Sequence, residues 1–202
     1  MKKLLYIVVP ILIIVLIGYS LPDKTDPAYA NKIGDIRAER VKYLKSSKQS
    51  PFVQFNKKYQ PIQYFTVNPT FKVRANLERL DNPQRVTIQN SDGTSAQYSK
   101  FAYASFKLQD QTMKILILKQ AGFGALPNAY FTAFADNTSG RETYGGGRYL
   151  DLDIGKSDNI EIDFNLAYNP YCAYIDEYSC PLPPAENILP LAIIAGEKDY
   201  KH

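Results

Sequence analysis

Tryptophan is absent from this chain, and histidine occurs once, at the C-terminal His202. The second scarcity excludes more. Ser-His-Asp and Cys-His catalysis both need an imidazole held inside the fold, so any catalysis falls to carboxylates, tyrosine, lysine or arginine. No Gly-x-Ser-x-Gly elbow occurs. The one glycine run, Gly145-Gly146-Gly147, is followed by Arg148 rather than by the Lys-Ser or Lys-Thr of a phosphate loop. Cysteine is limited to Cys172 and Cys180. Zinc sites usually draw on four ligands with tighter cysteine spacing, so neither a metal nor a cofactor is expected. The 24 basic residues against 20 acidic ones give a net charge of +4 with no dense basic stripe, which argues against nucleic acid as a partner. Internal repeats and low-complexity tracts are missing as well.

An uncharged run is present at the start. Leu4 to Ile17 is aliphatic or aromatic throughout apart from Pro10, and Gly18 to Leu21 extends the run before Asp23 stops it. Eighteen residues at about 1.5 Å each reach roughly 27 Å, close to a bilayer core of about 30 Å. Pro10 is tolerable in such a helix because neighbouring groups take up the freed carbonyl. Lys2 and Lys3 precede the run, so the positive-inside rule puts the N-terminus in the cytoplasm and the remainder outside. The expectation is a single-pass anchor, residues 1–21, in a bacterial inner membrane. The alternative is a cleaved signal peptide, for which Ala28-Tyr29-Ala30 has the small-x-small form. No cysteine follows the run directly, which excludes lipoprotein processing. Either way the main domain is expected to be periplasmic or extracellular. In that oxidising setting Cys172 and Cys180 are expected to pair, closing a short loop worth roughly 2–3 kcal/mol.

The 202 residues fit one domain plus an anchor. Residues 22–50 read as a juxtamembrane linker and helix, and residues 51–202 as a β domain. Asp26-Pro27 is an N-cap followed by proline at the first turn. Ile33, Ile36, Val41 and Leu44 then recur at roughly helical spacing, with Arg37 and Arg40 assigned to the wetter side. Beyond Pro51 the period becomes two. Strands are expected over Phe71–Glu78, Arg85–Gln89, Ala96–Leu108, Thr112–Lys119, Asn128–Ala135, Arg148–Ile154, Asn159–Asn165 and Leu189–Ala195. Asp92-Gly93 marks a turn. This is mainly β: a compact antiparallel sandwich or partly closed barrel behind one short amphipathic helix. The 16 Tyr and 10 Phe either fill a β core and its rim or stack on sugars or bases.

Candidate site residues crowd into the last third. Thr138 to Arg148 form a hydroxyl-, glycine- and guanidinium-rich turn whose backbone N–H groups can make an anion nest, with Arg141, Tyr144 and Arg148 beside it. The competing reading is a β turn whose arginines pair Asp151 or Asp163 across strands. Asp163 and Asn165 share one strand face, and Arg148 and Asp163 are expected in one polar site. Glu186, Asn187 and Glu197 read as loop carboxylates and amides that bond backbone N–H groups. A sharper reading makes Asp163 or Glu186 a general acid or base of a hydrolase or lyase.

Several of these elements resemble a bacterial family, the domain of unknown function 1684. They are Thr138-Ser139-Gly140, Thr143-Tyr144, Gly147-Arg148-Tyr149-Leu150, Asp163-Phe164-Asn165 and Ala167-Tyr168-Asn169-Pro170. Further along come Cys172-Ala173-Tyr174, Cys180-Pro181-Leu182-Pro183-Pro184, Glu186-Asn187 and Ala195-Gly196-Glu197-Lys198. The resemblance runs from about Phe71 to Tyr200 and is specific from Thr138 onward. Tyr171 departs from a second proline after Asn-Pro, and Leu166 from a basic residue after Asp-Phe-Asn. The resemblance implies a mostly β extracytoplasmic domain and brings no activity, substrate or cofactor. The functional expectation is a pocket for a small anionic ligand or an acidic segment of an envelope protein. Arg141, Tyr144, Arg148, Asp163, Asn165, Tyr168, Asn169 and Glu186 would form it. A structural cell-envelope module is the remaining alternative.

Overall fold

A strand that alternates apolar and polar residues buries one face. β1 (Lys72–Arg79) does this with Val73, Ala75 and Leu77. A similar alternation marks β2 (Arg85–Gln89) and much of β3 (Ser95–Leu108), whereas β4 (Gln111–Gln120) and β5 (Tyr130–Phe134) are buried on both faces at Ile115 to Leu118 and Thr132 to Phe134. It returns in β6 (Arg148–Leu152) and β7 (Asn159–Asp163). The computed structural model describes residues 25–82, 84–120 and 130–201. The apolar run at the start, and with it the expected anchor or signal peptide, lies outside them. Among the described residues no helix is long and apolar enough to cross a membrane.

The strands form one antiparallel sheet in the order β6-β5-β4-β3-β1-β7, with β2 also on β3. β2 and β1 lie end to end along one edge of the long β3: Arg85–Gln89 oppose Ser95–Ser99, and Ala75–Arg79 oppose Ala102–Phe106. β3 and β4 are joined by a two-residue turn in which Gln109 and Asp110 both take positive φ, the geometry that suits a hairpin's twist. The sheet curls until its two ends meet. Just past β7, Tyr168 exchanges backbone hydrogen bonds of 2.8 and 3.0 Å with Tyr149 of β6. Of the two expected architectures this is the curled, partly closed one. The described strands form no second, facing sheet.

Leu189–Ala195 keeps its period-two burial, with Leu189, Leu191, Ile193 and Ala195 inside, yet it joins no ladder of the sheet. It threads the curl as an extended plug. Its entry is stitched by the Asn187 side chain, which enters where β4 and β5 diverge. That amide donates to the carbonyls of Leu116 and Ala133 and accepts from the Leu116 N–H. One side chain thus replaces a stretch of missing ladder, because buried backbone groups need partners.

α1 (Pro27–Ser46) is capped by Asp26, whose carboxylate accepts from the Ala28 N–H at 2.9 Å. A short α2 (Pro51–Gln54) follows. The face that α1 presents to the sheet is Ile33, Arg37, Arg40 and Leu44, a regular helical stripe. This corrects the sequence reading: Ile36 is exposed, and the two arginines assigned to the wet side face the protein. A cluster of Leu44, Phe52, Ile62, Tyr174, Ile175 and Tyr200 cements α1 and α2 to the C-terminal loops.

Candidate functional site

β6 alternates inward at Arg148, Leu150 and Leu152, so Arg148 points into the curl and is fully buried. Its guanidinium pairs with Asp136 at 2.8 Å. It also donates to the carbonyls of Ile193 and Ala195 in the extended plug and to that of Glu197 just past it. The planar fork thereby stands in for a neighbouring strand. The second Asp136 oxygen accepts from the N–H groups of Thr138 and Ile193 and from the Thr138 hydroxyl. Asp163 lies elsewhere: it accepts from the Tyr29 hydroxyl of α1 and from Asn165. The expected Arg148–Asp163 site is therefore absent, since the two share no partner and Arg148 already has Asp136.

The glycine-rich turn is closed on itself. The N–H groups of Arg141, Glu142 and Thr143 all donate to the Thr138 carbonyl, that of Gly140 to Thr143, and that of Gly147 to Tyr144. Arg141 is exposed and returns to the Asn137 carbonyl. Gly147 has φ +83°, and an added Cβ would lie 2.6 Å from the Phe134 carbonyl. Gly147 thus serves backbone geometry, and the N–H groups of Gly140 to Thr143 and of Gly147 are taken up within the turn rather than offered to an anion. Asn165 is buried and bridges the Tyr29 hydroxyl, the Asn68 carbonyl and the Asn68 N–H. Glu186 lies at the surface, paired with Lys100 at 2.8 Å; that ammonium holds its carboxyl below the ordinary glutamate range. A general acid needs the opposite displacement.

A carboxylate that the sequence placed among the loop fixers occupies the junction of helix and sheet. Glu197 is fully buried. It accepts from Arg40 Nε at 2.9 Å, from the Asn169 N–H at 2.9 Å, and from the hydroxyls of Tyr64 and Tyr174. Gly196 before it has φ +78°, and a Cβ there would sit 2.5 Å from the Ala167 carbonyl. Arg40 also lies over the Tyr168 ring, 4.0 Å from its centroid, while Arg37 lies over Tyr64 and donates to the Phe65 and Asn165 carbonyls.

Outside that junction a cleft of about 330 Å³ opens, lined by Arg40, Asp151 and the rings of Tyr149, Tyr168, Tyr171 and Tyr178, with Pro170 and Pro181 at its edges. The Tyr168 hydroxyl donates to Asp151 at 2.8 Å, and burial together with that carboxylate raises its pKa. The Tyr149 hydroxyl donates to the Pro181 carbonyl at 2.6 Å. Of the residues expected in the site, only Tyr168 lines this cleft. Asn169 lies behind it, its carbonyl accepting from Arg40. Sequence reasoning missed Arg40, Tyr149, Tyr171 and Tyr178. The signal open to it was the arginine recurring at the buried helical spacing of Ile33 and Leu44.

Cys180 lines the same cleft, and Cys172 lines a second one of about 200 Å³ together with Ser91, Asp92, Tyr144, Asp176 and Tyr178. The expected disulfide is not formed; both are free, buried thiols. The Cys172 N–H, in the first turn of a 3-10 segment (Tyr171–Ala173) and so without a helical acceptor, donates to Cys180 Sγ at 3.1 Å. The Tyr144 hydroxyl donates to Cys172 Sγ at 3.7 Å. The Cys180 contact leads in pulling the Cys172 pKa down to about 6, against the opposing effect of burial. The same contact, and then burial, push Cys180 up.

Residues 57–198 match the model of the family described as "Protein of unknown function (DUF1684)". The chain belongs to this family. Among solved structures it is similar to the solution NMR structure of an uncharacterised protein from gene locus rrnAC0354 of Haloarcula marismortui. The two are 33% identical over 87% of this chain and 97% of that one, with a TM-score of 0.66. No curated protein matches the chain. The family segment contains Glu197, the tyrosine cleft's floor and both cysteines. Arg37 and Arg40 come from α1, ahead of it.

Proposed function

We propose that this DUF1684 protein is a binding domain whose site is the tyrosine cleft, and that its ligand is a small, neutral, hydroxylated ring of the monosaccharide class. One observation carries the reading: four tyrosine rings and the Asp151 carboxylate open on one cleft of about 330 Å³, within the usual size of a small-molecule site. Tyrosine offers an apolar face with a polar tip, which suits the C–H face of such a ring, while a carboxylate accepts from its hydroxyls. The charge balance disfavours an anion. Arg40, the cation of the cleft, is already paired with Glu197, which leaves Asp151 in excess. The arginines first assigned to an anion, Arg141 and Arg148, lie outside it. In the same reading the apolar run of residues 4–17 holds the domain at a membrane, outside the cytoplasm.

The absence of tryptophan makes tyrosine emission the natural probe. Titration with neutral monosaccharides should quench it saturably, and Asp151→Asn should weaken binding about tenfold or more. The reading fails when no neutral ring ligand saturates the signal. It also fails when an aromatic carboxylate binds instead and loses affinity in Arg40→Ala, an outcome that restores the anionic-ligand reading at a new place.

A further inference from the structure

We infer that the sugar in the tyrosine cleft is one unit of a neutral glycan, and that the smaller cleft beside it is the subsite for the next ring. The inference rests on the proposed saccharide site and extends its ligand from one ring to two.

The two clefts repeat one chemistry. The larger offers tyrosine rings and Asp151. The smaller, of about 200 Å³, offers the rings of Tyr144 and Tyr178, the carboxylates of Asp92 and Asp176 and the Ser91 hydroxyl. Among the described residues no lysine, arginine or histidine lines it. Ring faces suit the C–H side of a sugar, and carboxylates accept from its hydroxyls. Two carboxylates with no cation beside them turn an acidic ring away. Alone, the smaller cleft falls below the usual size of a small-molecule site, about 300–1,000 Å³. Its size fits one end of a longer ligand.

A common wall joins the clefts. Tyr178 lines both. Ser179 lines the larger, and its hydroxyl meets that of Thr94 at 3.2 Å, which in turn donates to Asp92 of the smaller at 2.6 Å. Cys180 lines the larger, and its N–H donates to the Ser91 hydroxyl of the smaller at 3.2 Å. Three consecutive residues thus face one cleft while holding the lining of the other. The crest of the wall is open to solvent, with Ser179 exposed and Tyr178 half-buried. A chain of rings can cross it without entering the core. The wall is also fixed in place. The Tyr178 hydroxyl donates to Gln54 Oε1 at 2.7 Å, and its ring packs against those of Phe55 and Tyr171, with centroids 5.1 and 5.3 Å away. In the smaller cleft the Tyr144 ring lies against Gly146, where a Cβ would come within 2.5 Å of it. The Thr94 N–H and hydroxyl both donate to one oxygen of Asp92 and set its carboxylate. Groups held before the ligand arrives lose little freedom on binding.

The test uses the full-length chain, calorimetry and tyrosine emission. It compares glucose, galactose and N-acetylglucosamine with maltose, cellobiose, lactose and diacetylchitobiose. At least one disaccharide should bind about tenfold or more tighter than any single ring, the gain from a tethered second contact. Asp92→Asn combined with Asp176→Asn should remove that gain and leave monosaccharide affinity unchanged. Both positions are exposed, and asparagine at 92 still accepts from the Thr94 N–H, so the turn is kept. Asp151→Asn should weaken single and double rings alike. Monosaccharides that bind while no disaccharide binds tighter overturn the second subsite and leave the first standing. A disaccharide gain that survives the paired substitution does the same. Failure of every sugar to bind overturns the saccharide site itself, and the second subsite with it.

Discussion

Two buried arginine–carboxylate pairs grip the same C-terminal segment, and they differ in what lies on the far side of the arginine. In the Arg148–Asp136 pair both side chains are sealed, at 0% and 1% exposure. In the Arg40–Glu197 pair the carboxylate is sealed but the arginine is 23% exposed, at the wall of the tyrosine cleft. Arg148 spends its guanidinium on Asp136 and three backbone carbonyls, whereas Arg40 divides its own between Glu197, the Asn169 carbonyl and an aromatic face. A charge with no route to solvent serves the fold. The other, already paired with Glu197, stands at a wall of the cleft proposed to take the ligand.

The comparison breaks most sharply at Asp136→Asn. Removing one partner of a sealed pair leaves an uncompensated buried charge, and about 3–5 kcal/mol of stability should be lost in urea unfolding. Replacing both members by apolar residues, Asp136→Leu with Arg148→Met, should not recover the loss. Buried pairs are often replaceable, but here the carbonyls of Ile193, Ala195 and Glu197 would be orphaned together. A double variant as stable as wild type would reduce Arg148 to an ordinary ion-pair partner.

Arg40→Ala also leaves a sealed charge without its partner, and its cost should lie at the lower end of the same range, about 3 kcal/mol. Glu197 would keep the Asn169 N–H and the hydroxyls of Tyr64 and Tyr174. The same variant should alter ligand titrations in the cleft, which Asp136→Asn should leave unchanged in whatever fraction stays folded. A loss equal to that of Asp136→Asn would erase the distinction between the two pairs.

The legibility of these regions in the sequence follows their physics. Period-two alternation announced the strands because it reflects burial of one face, and Asp26-Pro27 announced the helix start because caps are local chemistry. The glycines of the Thr138–Arg148 turn were found, but the purpose assigned to them was not. A nest and a self-closed turn use the same residues, and only the tertiary partners of the N–H groups separate them. Arg37 and Arg40 were misplaced because charge outweighed position, although they occupy the buried stripe between Ile33 and Leu44. The plug was legible as alternation yet not as a non-ladder segment, because nothing in Leu189–Ala195 reveals that its backbone bonds go to Ala135, Asn137 and a guanidinium rather than to a full strand. The cleft was hidden altogether: Tyr149, Tyr168, Tyr171 and Tyr178 converge only through the curl of the sheet.

The smallest expected effect belongs to a third pair, at the surface, and it sets the other end of the comparison. Lys100 and Glu186 meet at 2.8 Å, with side chains 20% and 41% exposed. Pairs this open are worth about 0–1 kcal/mol, because water and salt screen them. Contact with Lys100 lowers the Glu186 pKa, and contact with Glu186 raises that of Lys100. A folded-state pKa below the unfolded one contributes stability that is present above the unfolded value, about 4.3 for glutamate. That contribution fades as pH falls through the lower folded value. The lysine works in the opposite sense, its share lost only as pH climbs past the ordinary lysine range. Across neutral pH, Glu186→Gln should therefore destabilise by less than about 1 kcal/mol. In urea melts the difference from wild type should shrink toward zero in acid below about pH 4 and diminish with added salt. A difference that instead grew in acid would require a protonated Glu186 with a structural partner, and would return this residue to consideration as a general acid.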